Sequence, residues 1–132
     1  MLKEKKKILV IDDEEEIRSL LETKFYKLGY NVDVAATGLQ AVTKIRSGSE
    51  FDLVICDLKM PKMNGVKFFS ELKSLQPKAK FLLITGHPDK NNLLGAVKNG
   101  IANILIKPVK HQEITSKVVE LIGVATAEPV SA

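Results

Sequence analysis

The sequence predicts an α/β fold, a doubly wound parallel sheet with helices on both faces. Three observations carry that prediction. Short apolar runs alternate with helix-period stretches five times along 132 residues, a pattern that requires parallel strands joined by right-handed crossovers. The runs Leu53-Val54-Ile55-Cys56 and Phe81-Leu82-Leu83-Ile84 show no polar alternation, as strands covered on both faces do not. Two strands end at acid, the first at Asp12-Asp13 and the third at Asp57. In open α/β sheets the carboxyl ends of the strands are where ligands bind.

Taken in order, Lys7-Ile8-Leu9-Val10-Ile11 is the first strand, and Glu14-Glu15-Glu16 favour the positive end of the helix that follows. Ile17, Leu20, Leu21, Phe25 and Leu28 recur at helical spacing until Gly29 stops the helix. Asn31-Val32-Asp33-Val34-Ala35 alternates and predicts a half-exposed edge strand. Thr37-Gly38 opens a second helix with Leu39, Val42 and Ile45 on its apolar face, ending near Gly48. The third strand, 53–56, meets Asp57, and Met60-Pro61 and Asn64-Gly65 then break the chain into a loop. A third helix carries Val66, Phe69, Leu72 and Leu75 up to Pro77. Strand four closes at Thr85-Gly86, and a weaker helix with Leu93, Leu94, Ala96 and Val97 runs to Gly100. Ile104-Leu105-Ile106 is the fifth strand, ending at Lys107-Pro108, and the last helix bears Ile114, Val118, Leu121 and Ile122.

With the first strand among the most apolar and the second the most polar, the expected order is 2-1-3-4-5, the flavodoxin-like three-layer α/β/α sandwich. Residues 1–123 form one domain, and 124–132, which lack periodicity, are expected to be a disordered tail or the start of a linker.

Composition narrows the function. The balance of 45% hydrophobic and 27% charged residues is that of a soluble globular domain. The formal charge of +4 is spread over scattered lysines, and five Phe, two Tyr and no Trp leave little to stack bases on, so no direct nucleic-acid binding is expected. No apolar run approaches a membrane span, and since the lysine-rich start leads straight into a strand, no signal peptide is expected. The single cysteine, Cys56, sits in a buried run as an inert core residue, which fits a reducing cytoplasm.

In the 2-1-3-4-5 order strands one and three are neighbours, so Asp12, Asp13 and Asp57 share one pocket. Three close carboxylates repel unless a cation compensates, and an all-oxygen set points to Mg²⁺. Strand four adds the Thr85 hydroxyl, and strand five adds the Lys107 ammonium. This is equipment for phosphoryl transfer, where positioning and charge neutralisation dominate. There is no P-loop, no Gly-x-Gly-x-x-Gly, and no Ser or Cys paired with a His, so a carboxylate is the candidate acceptor. Asp57 ends the central strand alone, whereas Asp12 and Asp13 form a metal-holding pair. Plainer readings exist for each residue taken singly: Asp12 or Asp13 as a helix cap, Thr85 as turn chemistry, Lys107 as a surface residue.

These pieces together, Ile8-Leu9-Val10-Ile11-Asp12-Asp13, Asp57-Leu58-Lys59-Met60-Pro61 with Asn64-Gly65, Leu83-Ile84-Thr85-Gly86 and Ile106-Lys107-Pro108, resemble the receiver domain of two-component response regulators over roughly residues 5–123. The resemblance implies that Asp57 is the phosphoacceptor, taking a phosphoryl group from a phosphohistidine on a histidine kinase or histidine phosphotransfer protein. It implies that Asp13, Asp57 and the Lys59 backbone carbonyl ligate Mg²⁺, with Asp12 holding the ion through water. Thr85 and Lys107 would each take a phosphoryl oxygen, the Lys107-Pro108 peptide would be cis, and Lys59 and His87 would flank the phosphoryl group. A cytoplasmic signalling switch is implied, not an enzyme, with at most slow self-dephosphorylation and an unknown downstream output. One departure is Ile104, where the family usually has Tyr or Phe that turns inward with the Thr. A muted change on the face of the fourth helix, fifth strand and fifth helix is therefore expected.

Other classes account for the same residues less completely. A haloacid-dehalogenase-like phosphatase also has its nucleophile after the first strand, but Asp12-Asp13-Glu14 lacks the Asp-x-Asp signature. A flavin-binding module would need N–H groups and Ser/Thr where the first loop is acidic. A pseudo-receiver that binds a partner without phosphorylation would tolerate Ile104 but has no need of the full set of acids and lysine.

Overall fold

The structure is a computed structural model that describes residues 5–57, 65–86 and 90–125. Its elements are β1 (Lys7–Ile11), α1 (Glu15–Lys27), β2 (Asn31–Ala35), α2 (Gly38–Arg46), β3 (Leu53–Cys56), α3 (Gly65–Leu75), β4 (Lys80–Thr85), α4 (Lys90–Lys98), β5 (Ile104–Ile106) and α5 (His111–Ile122). All strand pairs are parallel, in the order β2-β1-β3-β4-β5. The alternating pattern read from the sequence therefore folds as the predicted α/β/α sandwich.

Each inner strand feeds two cores because successive side chains point to opposite faces. Leu9, Ile11, Val54, Cys56, Phe81 and Leu83 pack on one side with Val42, Ile45, Phe68, Phe69 and Leu72. Ile8, Val10, Leu53, Ile55, Leu82 and Ile84 pack on the other with Phe25, Tyr30, Ile114 and Val118. Every residue of β3 is buried, at roughly 1.5–3 kcal/mol for each large apolar side chain. A charge at Val54 would leave an ion between two dry layers and break the domain.

The edge strands β2 and β5 are only partly buried, with Ile106 exposed at the sheet margin. Four helix faces differ from the simple spacing. Leu39 is 60% exposed, and α2 packs through Gly38, Ala41, Val42 and Ile45. Leu20 of α1, Leu28 at its C-cap, and Leu94 and Val97 of α4 also face outward. In α3 the buried face is Gly65, Phe68, Phe69 and Leu72, while Leu75 is exposed. Thr37 caps α2 by accepting from the Gln40 amide, satisfying one of the helix's orphan donors.

Packing also continues past Gly123. Ala125 is buried, its carbonyl accepts from the Lys6 amide at 2.9 Å, and the Tyr30 hydroxyl donates to the Gly123 carbonyl at 2.6 Å.

Candidate functional site

Parallel strands all deliver their carboxyl ends to one edge of the sheet. Ile11 of β1 is in register with Cys56 of β3, and Thr85 of β4 with Ile106 of β5. Hydrogen bonding then runs one residue further. Asp57 N donates to Ile11 O at 3.2 Å, Asp12 N to Ala35 O at 3.2 Å, and Lys107 N to Thr85 O at 2.8 Å. The backbones of both acids and of the lysine are thus fixed by the sheet before any side chain is considered.

The side chains converge. Carboxylate oxygens of Asp12, Asp13 and Asp57 all lie within 4.8 Å of one another. Asp12 and Asp57 are 4% and 7% exposed, and Asp13 stands at the open side. Lys107 Nζ lies 3.3 Å from Oδ2 of Asp12 and 3.3 Å from Oδ2 of Asp57. Thr85 is fully buried at the end of β4. The Lys107-Pro108 peptide is cis. The sequence-predicted residues Asp12, Asp13, Asp57 and Lys107 are therefore brought together, with Thr85 beside Lys107 on the backbone. Lys59 and His87 lie outside the described residues.

Electrostatics follow from burial. Desolvation raises the Asp12 carboxyl above its ordinary pKa, against the opposing pull of the Glu14 amide and of Lys107. Burial alone would lower Lys107, but the Asp12 and Asp57 carboxylates outweigh it and hold the ammonium above the usual lysine value. Burial, reinforced by the charges of Asp57 and Asp12, pushes the Cys56 thiol up, so this core cysteine is not a nucleophile at neutral pH.

The capping and ligand readings of Asp12 turn out to be compatible. Its Oδ1 accepts from the Glu14 amide at 2.9 Å at the entrance to α1, while Oδ2 faces Lys107. One oxygen builds the turn and the other builds the pocket. Three hard oxygen donors within 4.8 Å of one another, two of them on nearly buried residues, suit a divalent cation of the Mg²⁺ type.

A family model described as "Response regulator receiver domain" matches residues 8–119. The chain belongs to the response regulator receiver family. This is a family of signalling phosphoacceptors. The receiver is 32% identical to a response regulator receiver domain protein from Clostridium thermocellum, with a TM-score of 0.81, covering 89% of this chain and 94% of that one. It is 34% identical to the response regulator protein TrrA of Thermotoga maritima, solved in complex with Mg(2+)-BeF, with a TM-score of 0.77 over 88% of this chain and 98% of that one. Among curated proteins it is 35% identical over 107 residues to the transcriptional regulatory protein ZraR of Klebsiella oxytoca. That match covers 81% of this chain but spans only 24% of the length of ZraR.

Sequence reasoning assigned nothing to Arg18 of the receiver. Its Nη1 donates to the Asp12 carbonyl at 2.8 Å from six residues downstream. A long cationic side chain in the second turn of a helix that starts beside acids was the available signal. Ile104 is half-buried and packs against the core cluster shared with Phe69 and Phe81. No helix among the described residues is long and apolar enough to cross a membrane.

Proposed function

We propose that the chain is the phosphoacceptor of a two-component system and that Asp57 takes the phosphoryl group. The observation that carries this reading is the bridge of one ammonium, Lys107, between two nearly buried carboxylates, Asp12 and Asp57, with a third, Asp13, alongside. An Asp57 oxygen attacks phosphorus, the P–N bond of a phosphohistidine breaks, and the electron pair leaves with the imidazole. The product is an acyl phosphate on Asp57. Mg²⁺ would be held by Asp13, Asp57 and the Lys59 backbone carbonyl, with Asp12 acting through water; bound there, it would neutralise charge on the phosphoryl oxygens. The fit of an Mg(2+)-BeF complex to the related TrrA supports that assignment.

Lys107 stays protonated and is already aimed at Asp57, so it can accept a phosphoryl oxygen as a new ion pair. The Thr85 hydroxyl, at the neighbouring strand end, takes a second oxygen. Asp57 is thus an acceptor and not a turnover catalyst, and slow self-dephosphorylation is the most chemistry the site performs unaided. The donor is a histidine kinase or histidine phosphotransfer protein. An apolar groove of about 480 Å³ that includes Ile17, Leu20, Leu21, Pro108, Val109 and Ile114 lies next to Lys107 and offers contact area to such a partner. The phosphorylated domain, residues 1–123, then acts in the cytoplasm on an output that lies in another segment or another protein.

The test is intact-protein mass spectrometry after incubation with Mg²⁺ and a small acyl phosphate donor. A single phosphoryl adduct on the parent and none on Asp57→Asn is the expected result. No adduct on the parent makes the chain a pseudo-receiver, and an adduct that survives Asp57→Asn moves the acceptor elsewhere.

A further inference from the structure

The turn between β1 and α1 carries two of the three clustered acids, and its conformation decides whether their oxygens can converge. Asp12 N is tied to Ala35 O at 3.2 Å and Asp12 Oδ1 to Glu14 N at 2.9 Å. What remains is the peptide joining Asp12 to Asp13. Rotation of that plane swings the Asp13 side chain, which is exposed and gains little orientation from packing. The plane's carbonyl is the atom gripped by Arg18 Nη1 at 2.8 Å. Arg18 is itself half-buried and anchored by its own helix, its amide bonded to Glu14 O at 3.1 Å.

We propose that Arg18 is a positioning residue for the cation site. It clamps the Asp12–Asp13 peptide through the Asp12 carbonyl so that both carboxylates face Asp57. The grip is specific to arginine because a planar fork at the end of a long stem can reach back over the helix start and hold a fixed direction. This inference rests on the reading of the acidic cluster as a Mg²⁺ site. Groups that orient metal ligands from outside the coordination sphere change metal affinity by about 10–100-fold when removed.

The test compares the parent with Arg18→Ala and Arg18→Lys. Mg²⁺ titration followed by amide chemical shifts gives affinity. Hydrogen exchange without metal reports the turn, and the Mg²⁺ dependence of phosphorylation separates binding from chemistry. In Arg18→Ala we expect Mg²⁺ affinity to fall roughly 10-fold, with the half-saturating Mg²⁺ concentration moving far more than the rate at saturation. The Asp13 and Glu14 amides should exchange faster while β3 and β4 keep their protection. Arg18→Lys should recover only part of the affinity. Unchanged affinity in Arg18→Ala, full recovery in Arg18→Lys, or a loss of protection spread evenly through the sheet would each overturn the proposal. If the parent shows no response to Mg²⁺, the cation reading itself fails, and the metal-free exchange of Asp13 and Glu14 alone decides whether Arg18 holds the turn.

Discussion

The Lys107 ammonium lies 3.3 Å from Asp57 Oδ2 and equally close to Asp12 Oδ2, so one cation serves two anions. Both carboxylates are almost out of solvent, while the lysine side chain retains 23% exposure. Lys107→Met should therefore lower stability in chelator by about 1–3 kcal/mol, through nearly buried negative charge that has lost its ammonium rather than through lost packing. Added Mg²⁺ should restore more stability to this variant than it adds to the parent. Urea unfolding with and without Mg²⁺ checks both statements, and equal Mg²⁺ increments in the two proteins would contradict them.

The same cluster should make stability depend on metal. An ion that binds the folded chain alone stabilises it, by about 2.7 kcal/mol at one hundred times its dissociation constant. Asp57→Asn removes one of the converging oxygens and a third of the negative charge. Its Mg²⁺-induced shift in unfolding midpoint should shrink to a small fraction of the parent's. A variant that responds to Mg²⁺ as strongly as the parent would place the ion away from Asp57.

The pH response has a defined sign. Asp12 and Lys107 both have raised pKa values in the folded protein. Each therefore binds its proton more tightly folded than unfolded. Each adds stability that is complete below its unfolded value and is lost as pH rises through the folded one. For Asp12 that window lies on the acid side, so mild acidification of the metal-free protein should strengthen its contribution. Mg²⁺ affinity should fall over the same window, because the ion needs the ionised acid. For Lys107 the loss comes above the ordinary lysine range. Urea unfolding across pH in chelator, for the parent and Asp12→Asn, should show a shallower acid-side dependence in the variant. Parallel curves would refute this assignment.

At the opposite end of the sheet, Tyr30 is buried, its hydroxyl donates to Gly123 O, and its pKa is raised by that burial. Tyr30→Phe keeps the ring and removes the donor, and should cost about 1 kcal/mol. Ending the chain after Gly123 should cost a similar amount, since Ala125 and its bond to Lys6 are lost. Chemical denaturation of the two variants would expose this contact as decorative if neither midpoint moves.

Ile104 sits half-buried against the core cluster of Phe69 and Phe81, and an aliphatic chain there offers no ring to swing between solvent and interior. On adding beryllofluoride and Mg²⁺, amide shifts over α4, β5 and α5 should be smaller than those beside Asp57. Shifts of equal size across that face would mean that Thr85 conveys the change without an aromatic partner.

Much of this was legible in the sequence because parallel strands share one direction. Runs that end at Asp12, Asp57, Thr85 and Lys107 must end at one edge, whatever the helices do. Helix faces were less legible, since a residue's burial depends on the tilt of its helix as well as on spacing. Leu39 lies in the first turn of α2 and splays outward, whereas Ala41, with far less apolar surface to advertise, faces the sheet. Phe68 was missed because the spacing from Val66 to Phe69 and Leu72 already accounted for a stripe, and the real face is a residue wider. Arg18 and Ala125 act through backbone hydrogen bonds, and side-chain pattern says nothing about where a carbonyl points.

Asp12 and Lys107 are separated by 95 residues of chain, and they meet only when β5 has docked on β4, β4 on β3, and β3 on β1. A nascent polypeptide still short of its final strand carries the acids without the ammonium that balances them. Competence to receive a signal is therefore withheld from half-made copies leaving the ribosome until β5 has been made and has brought Lys107 to the acids.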